Sequence, residues 1–467
     1  MPNALVWFRN DLRLTDQPAL QAALRSGYTP VFAYVHAPDE EGGWPAGAAS
    51  NAWRHHSLLA LDASLRERGS RLNVLRGPTL SALQRAASEC EAEAVFWTRR
   101  YEPAIEQRDA DIKRALRADG LRAESFNGRL LIEPWQVESK QGDPYRVFTP
   151  YWRTALAQLR VPEPMPAPDS FQAHAPLAEA LPVAALGLTP SLPWDRGFWH
   201  QWTPGEAGAE AALQHFVDAT LADYSESRDF PAKIGTSRLS PHLHFGEISP
   251  WTIARSIERL PEAGAAYLRQ LGWRDFAHHV LHHFPHTPDA NFNPRFDSFP
   301  WADVPEESLR AWQNGRTGVP IVDAGMRELW STGWMHNRVR MIVASFLTKN
   351  LRAHWQRGAA WFWDTLVDAD LANNTLGWQW VAGTGVDAAP YVRVFNPVLQ
   401  SQRFDVDGEY IARWLPELAG LAAKERHTPW MAARKVAGYP SVPIVDLAVS
   451  RQQALQAFEL MRAGRPV

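Results

Sequence analysis

Cysteine is almost absent. Cys90 stands alone in 467 residues, so no internal disulfide can form and a reducing cytoplasm is the expected compartment. Long apolar runs are missing too. None reaches the ~18 residues of a membrane-spanning helix, and Arg9, Asp11 and Arg13 interrupt the N-terminal apolar residues before a signal-peptide core is complete. Neither sign of charge dominates: 48 Lys and Arg against 51 Asp and Glu leave a net charge of −3. A nucleic-acid surface therefore has to be a local basic patch. The Gly-rich fingerprint of dinucleotide-binding sheets is also lacking. Arg9-Asn10-Asp11-Leu12-Arg13 follows the first strand pattern instead, which argues against a conventional NAD site there. No internal repeat or heptad run occurs, and no disordered tail is expected before Val467.

What the chain has in excess is tryptophan, 22 residues of it. Tryptophan is bulky and its indole N–H wants a partner, so an ordinary core uses it sparingly. The abundance points to stacking on a flat ligand or to redox chemistry. The densest stretch runs from Asp368 through Asp370, Asn373, Asn374 and Trp378 to Trp380, placing paired carboxylates, paired amides and two indoles within thirteen residues.

The length leaves room for two or three domains. A hydrophobic fraction of 45% and a charged fraction of 21% describe a globular, water-soluble chain. Strand patterns at residues 4–8, 30–35, 71–75 and 94–97 alternate with helical patterns from about Gln17, Asn51, Thr79 and Glu106. That alternation predicts βαβ units wound into a parallel, Rossmann-like sheet. From about Val161 to Pro204 prolines recur in an Ala-rich polar stretch, as in a surface connector. Helical spacing dominates beyond it, and Ser240-Pro241 and Ser249-Pro250 each read as an N-cap followed by proline at the first helical position. The expected organisation is an α/β domain over residues 1–133, a connector over 134–204 and an all-α domain over 205–467.

Four groups of residues invite chemistry. Gly235-Thr236-Ser237-Arg238-Leu239-Ser240-Pro241 sets three hydroxyls and a guanidinium at a helix start, which suits a phosphate or pyrophosphate; a plain capping loop is the alternative. On the helix expected after Trp334, Asn337 and Met341 share a face with Arg338 and Arg340 beside it, which suits a nucleotide, solvated arginines being the alternative. Asp368 and Asp370 have no His or Cys at ligand spacing, so a helix cap or a partner for Arg340 is expected of them before a metal. His278, His279, His282 and His283 have the i,i+4 spacing of a helical zinc site. They share their helix with an apolar stripe (Trp273, Phe276, Ala277, Val280, Leu281, Phe284), and no glutamate separates the pairs, so a zinc hydrolase is the lesser alternative.

Together these motifs resemble the photolyase/cryptochrome family over essentially the whole chain, from Trp7-Phe8-Arg9-Asn10-Asp11-Leu12-Arg13 to Arg413-Trp414-Leu415-Pro416-Glu417-Leu418. The specific ones are residues 235–241, Gly315-Arg316-Thr317-Gly318, residues 323–329, Gly333-Trp334-Met335-His336-Asn337-Arg338 and residues 368–380. The resemblance implies an N-terminal α/β antenna domain and a helical domain that holds FAD in a U shape. By the same resemblance Tyr224, Thr236, Ser237, Arg238, Leu239 and Ser240 would hold the flavin diphosphate. Arg274, Asn337, Asp368, Asp370 and Asn374 would line the isoalloxazine and adenine, with Asn374 facing the ring nitrogen whose protonation governs redox state and Arg340 pairing with Asp368. Trp378, Trp355 and Trp301 would relay an electron from the surface to the flavin.

Framework motifs such as Phe299-Pro300-Trp301 are closest to plant cryptochromes and the class III photolyases related to them. In the lesion pocket, Trp273 and Trp380 resemble the aromatic pair that flanks a flipped pyrimidine dimer, with Asn337, Arg338 and Met341 around it. Plant receptors typically lack those tryptophans and carry Asp where this chain has Asn374. Gln270 stands where many dimer photolyases place a carboxylate; it can hydrogen-bond a thymine edge but cannot deliver a proton, so repair with altered efficiency is expected. A dimer has to be extracted from the base stack to be acted on, and Arg338, Lys349, Arg393 and Arg403 are candidates for its flanking phosphates. The implied activity is a light-driven carbon–carbon lyase that repairs cyclobutane pyrimidine dimers by electron transfer from excited reduced FAD, with return of the electron. The alternative is a cryptochrome-like receptor that binds FAD without repair. A second antenna chromophore, methenyltetrahydrofolate or a deazaflavin, is implied for the N-terminal domain. DNA containing dimers is the expected partner, with no membrane, and the chain is expected to be a monomer.

Overall fold

The computed structural model describes residues 1–464; the last three residues of the expected helical domain, up to Val467, lie outside the described residues. Five strands, β1 (Asn3–Phe8), β2 (Thr29–His36), β3 (Leu72–Arg76), β4 (Ala92–Thr98) and β5 (Arg122–Phe126), form one parallel sheet in the order β3-β2-β1-β4-β5. The first four lie where the sequence predicts them. Central parallel strands are covered on both faces and so read as continuous apolar runs: Leu5, Val6, Trp7, Val31, Phe32 and Ala33 are all buried. Edge strand β5 exposes Arg122, and its polar composition hides it from a search for such runs.

The α-helices in chain order are α1 (Pro18–Arg25), α2 (Ala48–Glu67), α3 (Thr79–Glu89), α4 (Pro103–Ala118), α5 (Phe148–Gln158), α6 (Glu206–His215), α7 (Tyr224–Ser227), α8 (Ser240–Phe245), α9 (Pro250–Ile257), α10 (Pro261–His283), α11 (Glu306–Gln313), α12 (Pro320–Thr332), α13 (Asn337–Ser345), α14 (Trp355–Thr365), α15 (Leu371–Ala382), α16 (Pro397–Phe404), α17 (Glu409–Trp414), α18 (Ala423–His427) and α19 (Leu447–Arg462). Among the described residues no helix is long and apolar enough to cross a membrane. The chain divides into two compact units. One comprises Met1–Tyr145, Thr149–Ala222 and Ser237–His283; the other comprises Arg146–Phe148, Asp223–Thr236 and the chain from Phe284 onward.

In the first unit no α-helix forms between α5 and α6, as the proline-rich composition predicts. The connector is nevertheless anchored. Phe171 packs edge-on against Phe32 at 4.9 Å, Leu181 N donates to Val74 O at 2.8 Å, and Leu177 and Leu186 are buried. Cys90 is buried, and burial pushes its thiol up to about 11. Where a nucleotide fingerprint would stand, Arg13 is 1% exposed and its guanidinium donates to Asp16 O, Gly128 O and Gly246 O at 2.7–2.9 Å. Leu12 N donates to Phe245 O at 3.1 Å. Residues 10–13 thus pack the turn after α8 while Arg9 pairs with Asp109, and that turn requires Gly246. Its φ is +63°, and a Cβ there would lie 2.3 Å from Asn10 O.

The second unit is built on an apolar cluster that draws Trp312, Met335, Val343, Trp355, Phe362 and Trp378 from α11 to α15.

Both a left-handed backbone and a backbone clash oppose a side chain at position 246, so Gly246→Ala is expected to lower stability by about 2–3 kcal/mol. The urea midpoint of the variant tests this; an unchanged midpoint would show that the turn rearranges freely.

Candidate functional site

Two groups of sequence-predicted residues belong to the first unit. Around Ser237 to Ser240, the Ser237 hydroxyl lies 2.7 Å from Tyr267 OH and accepts from Leu239 N at 3.3 Å. Arg238 adopts φ +55°, rare for a residue with a side chain, and sets its guanidinium 4.3 Å above the ring of Trp202. Ser240 does not cap α8 as expected. It is already the first helical residue, and Leu239 before it has near-helical angles (φ −84°, ψ −1°). Ser249 does cap α9, accepting from Trp251 N at 3.1 Å. Since α8 has only six residues, attraction of an anion rests on the hydroxyls and Arg238 more than on a helix dipole.

The second group lies on α10. Gln270, Trp273 and Arg274 stand at i, i+3 and i+4 and share a face. Gln270 Nε2 reaches back to Ala266 O at 3.4 Å, and Trp273 is half-buried with its edge 5.8 Å from Phe276. Arg274 donates to Arg129 O and Leu243 O. The next residue, Asp275, is buried, and its Oδ2 accepts from Ile132 N at 3.0 Å while Oδ1 has no hydrogen-bond partner. The histidines of this helix serve structure. His278 Nδ1 bonds Arg274 O at 2.9 Å, His279 bridges Pro134 O and Tyr145 N at 3.1 and 3.0 Å, and His282 lies 3.2 Å from Glu106. No three His, Cys, Asp or Glu side chains converge as metal ligands among the described residues.

The remaining candidates belong to the second unit. Tyr224 opens α7, and burial raises its phenol above the ordinary range. Gly235 precedes Thr236 and lies so close to Ser227 that a Cβ would come within 2.5 Å of Ser227 O. On α13, Asn337 is exposed in the first turn, and the His336 ring caps the helix by accepting from Arg338 N at 3.2 Å. Arg338 Nη2 donates to Asp229 at 2.8 Å, and its guanidinium lies 4.4 Å from the Phe404 ring. Met341 is half-buried against the apolar cluster.

Asp368 and Asp370 divide the two roles expected of them. Asp368 accepts both contacts from Arg340 Nη2, at 3.1 and 2.8 Å. Asp370 caps α15 by accepting from Asn373 N at 2.9 Å. Asn374 is half-buried and donates Nδ2–H to Ala359 O at 3.0 Å, which turns its carbonyl edge away from α14.

Trp378 is 3% exposed and lies flat on the backbone of α14: a Cβ on Gly358 would stand 2.0 Å from its ring. Phe362 at 5.0 Å and Trp312 at 6.3 Å meet it edge to face. Trp355 is buried in the same cluster with Nε1 on Asn291 Oδ1 at 2.9 Å. Trp301 reaches Trp355 through the imidazole of His354, at centroid distances of 5.1 and 5.7 Å. Trp380 is half-buried, packed against the cluster from another side.

Lys349 corrects the sequence reading. It was expected at a DNA phosphate, yet it is 1% exposed and donates to Ala382 O and Tyr391 O at 2.9 and 3.3 Å. Burial holds its amine well below the usual range. Arg393 and Arg403 are exposed as a phosphate contact requires. Three neighbours of the candidate residues escape sequence reasoning: Asp229 and Phe404, which meet Arg338, and His354, which lies between Trp301 and Trp355. His354 alone leaves a signal, since like His336 it sits directly before a helix and caps it.

Comparison with known proteins places these features in one lineage. Residues 4–169 match the DNA photolyase model, and residues 267–460 match the FAD binding domain of DNA photolyase. The chain is 45% identical to the deoxyribodipyrimidine photo-lyase of Agrobacterium fabrum over 98% of both chains. It is 37% identical to cryptochrome-2 of Arabidopsis thaliana over 99% of this chain and 79% of that one. It superposes on the crystal structure of a bacterial class III photolyase from Agrobacterium tumefaciens with a TM-score of 0.95 and 44% identity, covering 99% of this chain and 98% of the other. The chain belongs to the photolyase/cryptochrome family, with a parallel-sheet N-terminal part and a helical FAD-binding part.

Burial, eased by Arg274, raises the Asp275 carboxyl to about 7, above the ~3.9 of an unfolded chain. As pH rises the unfolded chain releases this proton first, so stability falls between about pH 4 and 7. Asp275→Asn removes that loss. Its urea midpoint relative to the parent is expected to be higher at pH 8 than at pH 5, and an equal difference at both would refute the assignment.

Proposed function

We propose that this protein is a light-driven photolyase that splits cyclobutane pyrimidine dimers in DNA, using FAD held by the residues carried over from the family. The observation that supports this most directly is the end-to-end likeness to a deoxyribodipyrimidine photo-lyase, joined to an FAD-binding domain that keeps both Trp273 and Trp380. The functional division proposed is an antenna-binding domain over 1–133, a connector over 134–204 and a catalytic domain over 205–467.

The donor set suits FAD. Thr236, Ser237 and Ser240 offer hydroxyls and Arg238 a positive charge suited to the diphosphate, and Leu239 and Tyr224 are assigned to the same group. Arg274, Asn337, Asp368 and Asp370 are assigned to the ring systems. Asn374, anchored on Ala359 O by its amide N–H, presents its free carbonyl edge as a hydrogen-bond partner for a ring nitrogen. Bound there, reduced and photoexcited FAD would supply one electron for opening the cyclobutane ring and the place to which that electron returns. The protein's residues do the rest. Trp273 and Trp380 offer flat walls that offset the cost of unstacking the dimer, Asn337, Met341 and Gln270 border it, and Arg338, Arg393 and Arg403 meet flanking phosphates. Trp301, Trp355 and Trp378 carry an electron inward when the flavin starts oxidised. Exclusion of water by the apolar cluster keeps this path dry. A second chromophore, methenyltetrahydrofolate or a deazaflavin, is assigned to the antenna domain, and a cytoplasmic monomer to the whole. A receptor without repair activity agrees less well, since Trp273, Trp380 and Asn374 are the positions at which plant receptors depart.

Illumination of the reduced protein with dimer-containing single- and double-stranded DNA should remove dimer absorbance in a blue-light-dependent manner. A dark-equivalent result on both substrates would sink the enzyme reading. For the relay, Trp378→Phe is expected to slow photoreduction of the oxidised flavin sharply, and photoreduction at the parental rate would refute the role of Trp378.

A further inference from the structure

Arg338 and Arg340, two residues apart on α13, are held in different ways. Arg340 is fixed twice, by Nε on Met335 O at 2.7 Å and by Nη2 on the deeply buried Asp368. Arg338 is held more loosely. Its single ion pair, to Asp229 at 2.8 Å, leaves 19% of the arginine and 36% of the aspartate side chain exposed. Solvent screens such a pair, and it is correspondingly weak. Arg338 Nε is buried without a hydrogen-bond partner, so the guanidinium fork is only partly used. Phe404 supports its face, and Phe404 meets Phe230, the neighbour of Asp229, edge-on at 6.2 Å. The guanidinium thus contacts both the acid and the ring.

We propose that Asp229 is a positioning residue that holds Arg338 in readiness and yields it to a DNA backbone phosphate, the ion pair re-forming when the DNA leaves. This rests on the reading of Arg338 as a DNA contact. A phosphate matches a guanidinium fork better than a half-exposed carboxylate does, so the exchange proceeds once DNA delivers a phosphate to Arg338. The displaced carboxylate then faces the DNA unpaired and favours release.

The exchange leaves a mark in the salt dependence. A cation that neutralises a phosphate normally releases counterions from DNA, steepening log K against log salt by about 0.9 per contact. When the cation leaves an internal carboxylate to do so, that carboxylate takes up a counterion and cancels the release. Asp229→Asn keeps an acceptor for Arg338 and removes the charge. In dark anisotropy titrations of the FAD-loaded protein with a dimer-containing duplex, Asp229→Asn is expected to bind more tightly and with a slope steeper by about 0.9. Arg338→Gln is expected to bind more weakly at an unchanged slope, and the double variant to show neither the tightening nor the steepening. An unchanged slope or weaker binding by folded Asp229→Asn, with Arg338→Gln still weakened, overturns the exchange alone. Parental affinity in Arg338→Gln overturns the reading of Arg338 as a DNA contact.

Discussion

A carboxylate buried as deeply as that of Asp368, with 3% of its side chain exposed, requires an opposite charge held in a set geometry. Arg340 meets that requirement from α13 and ties residue 368 to that helix. Two residues later Asp370 caps α15, so the start of α15 is fixed by the same local geometry. From there helical periodicity sets the rest. Asn374 and Trp378, four residues apart, share a face, and both meet α14, one at Ala359 O and the other over Gly358. Trp380, two residues further, points elsewhere. The phase of one helix thus separates residues assigned to the flavin from the one assigned to the lesion.

Close packing refines this arrangement. Trp378 lies flat because position 358 carries no side chain, and Phe362 and Trp312 close on it edge to face. Such contacts leave little room for rotameric motion. Residues 9–13 show the same economy: where a nucleotide-binding turn would leave backbone N–H groups open, Arg13 consumes three carbonyls.

Much of this was legible in the sequence, for reasons that can be stated. The central strands were visible because burial on both faces demands unbroken apolar runs, and Ser249 was visible as a cap from its Ser-Pro signature, which its extended backbone in the structure satisfies. Ser240 has the same sequence signature but a different preceding backbone, which sequence does not display. The aspartates resolved into cap and ion pair because no metal ligands lay near them. Lys349 was misread because its charge was weighed without its neighbours, Phe346, Leu347 and Leu351, which carry it into the interior. Asp229 is 109 residues from Arg338, and Ala359 contributes only a carbonyl. Partners of that kind arise from tertiary packing and leave no local pattern.

The buried Cys90 has a practical corollary. A thiol pushed up to about 11 and shielded from solvent stays protonated and inert toward maleimides at neutral pH. A cysteine introduced at an exposed position then becomes the sole reactive thiol in the chain. A spin label or dye can be placed on this protein in one step, with no native cysteine to remove beforehand.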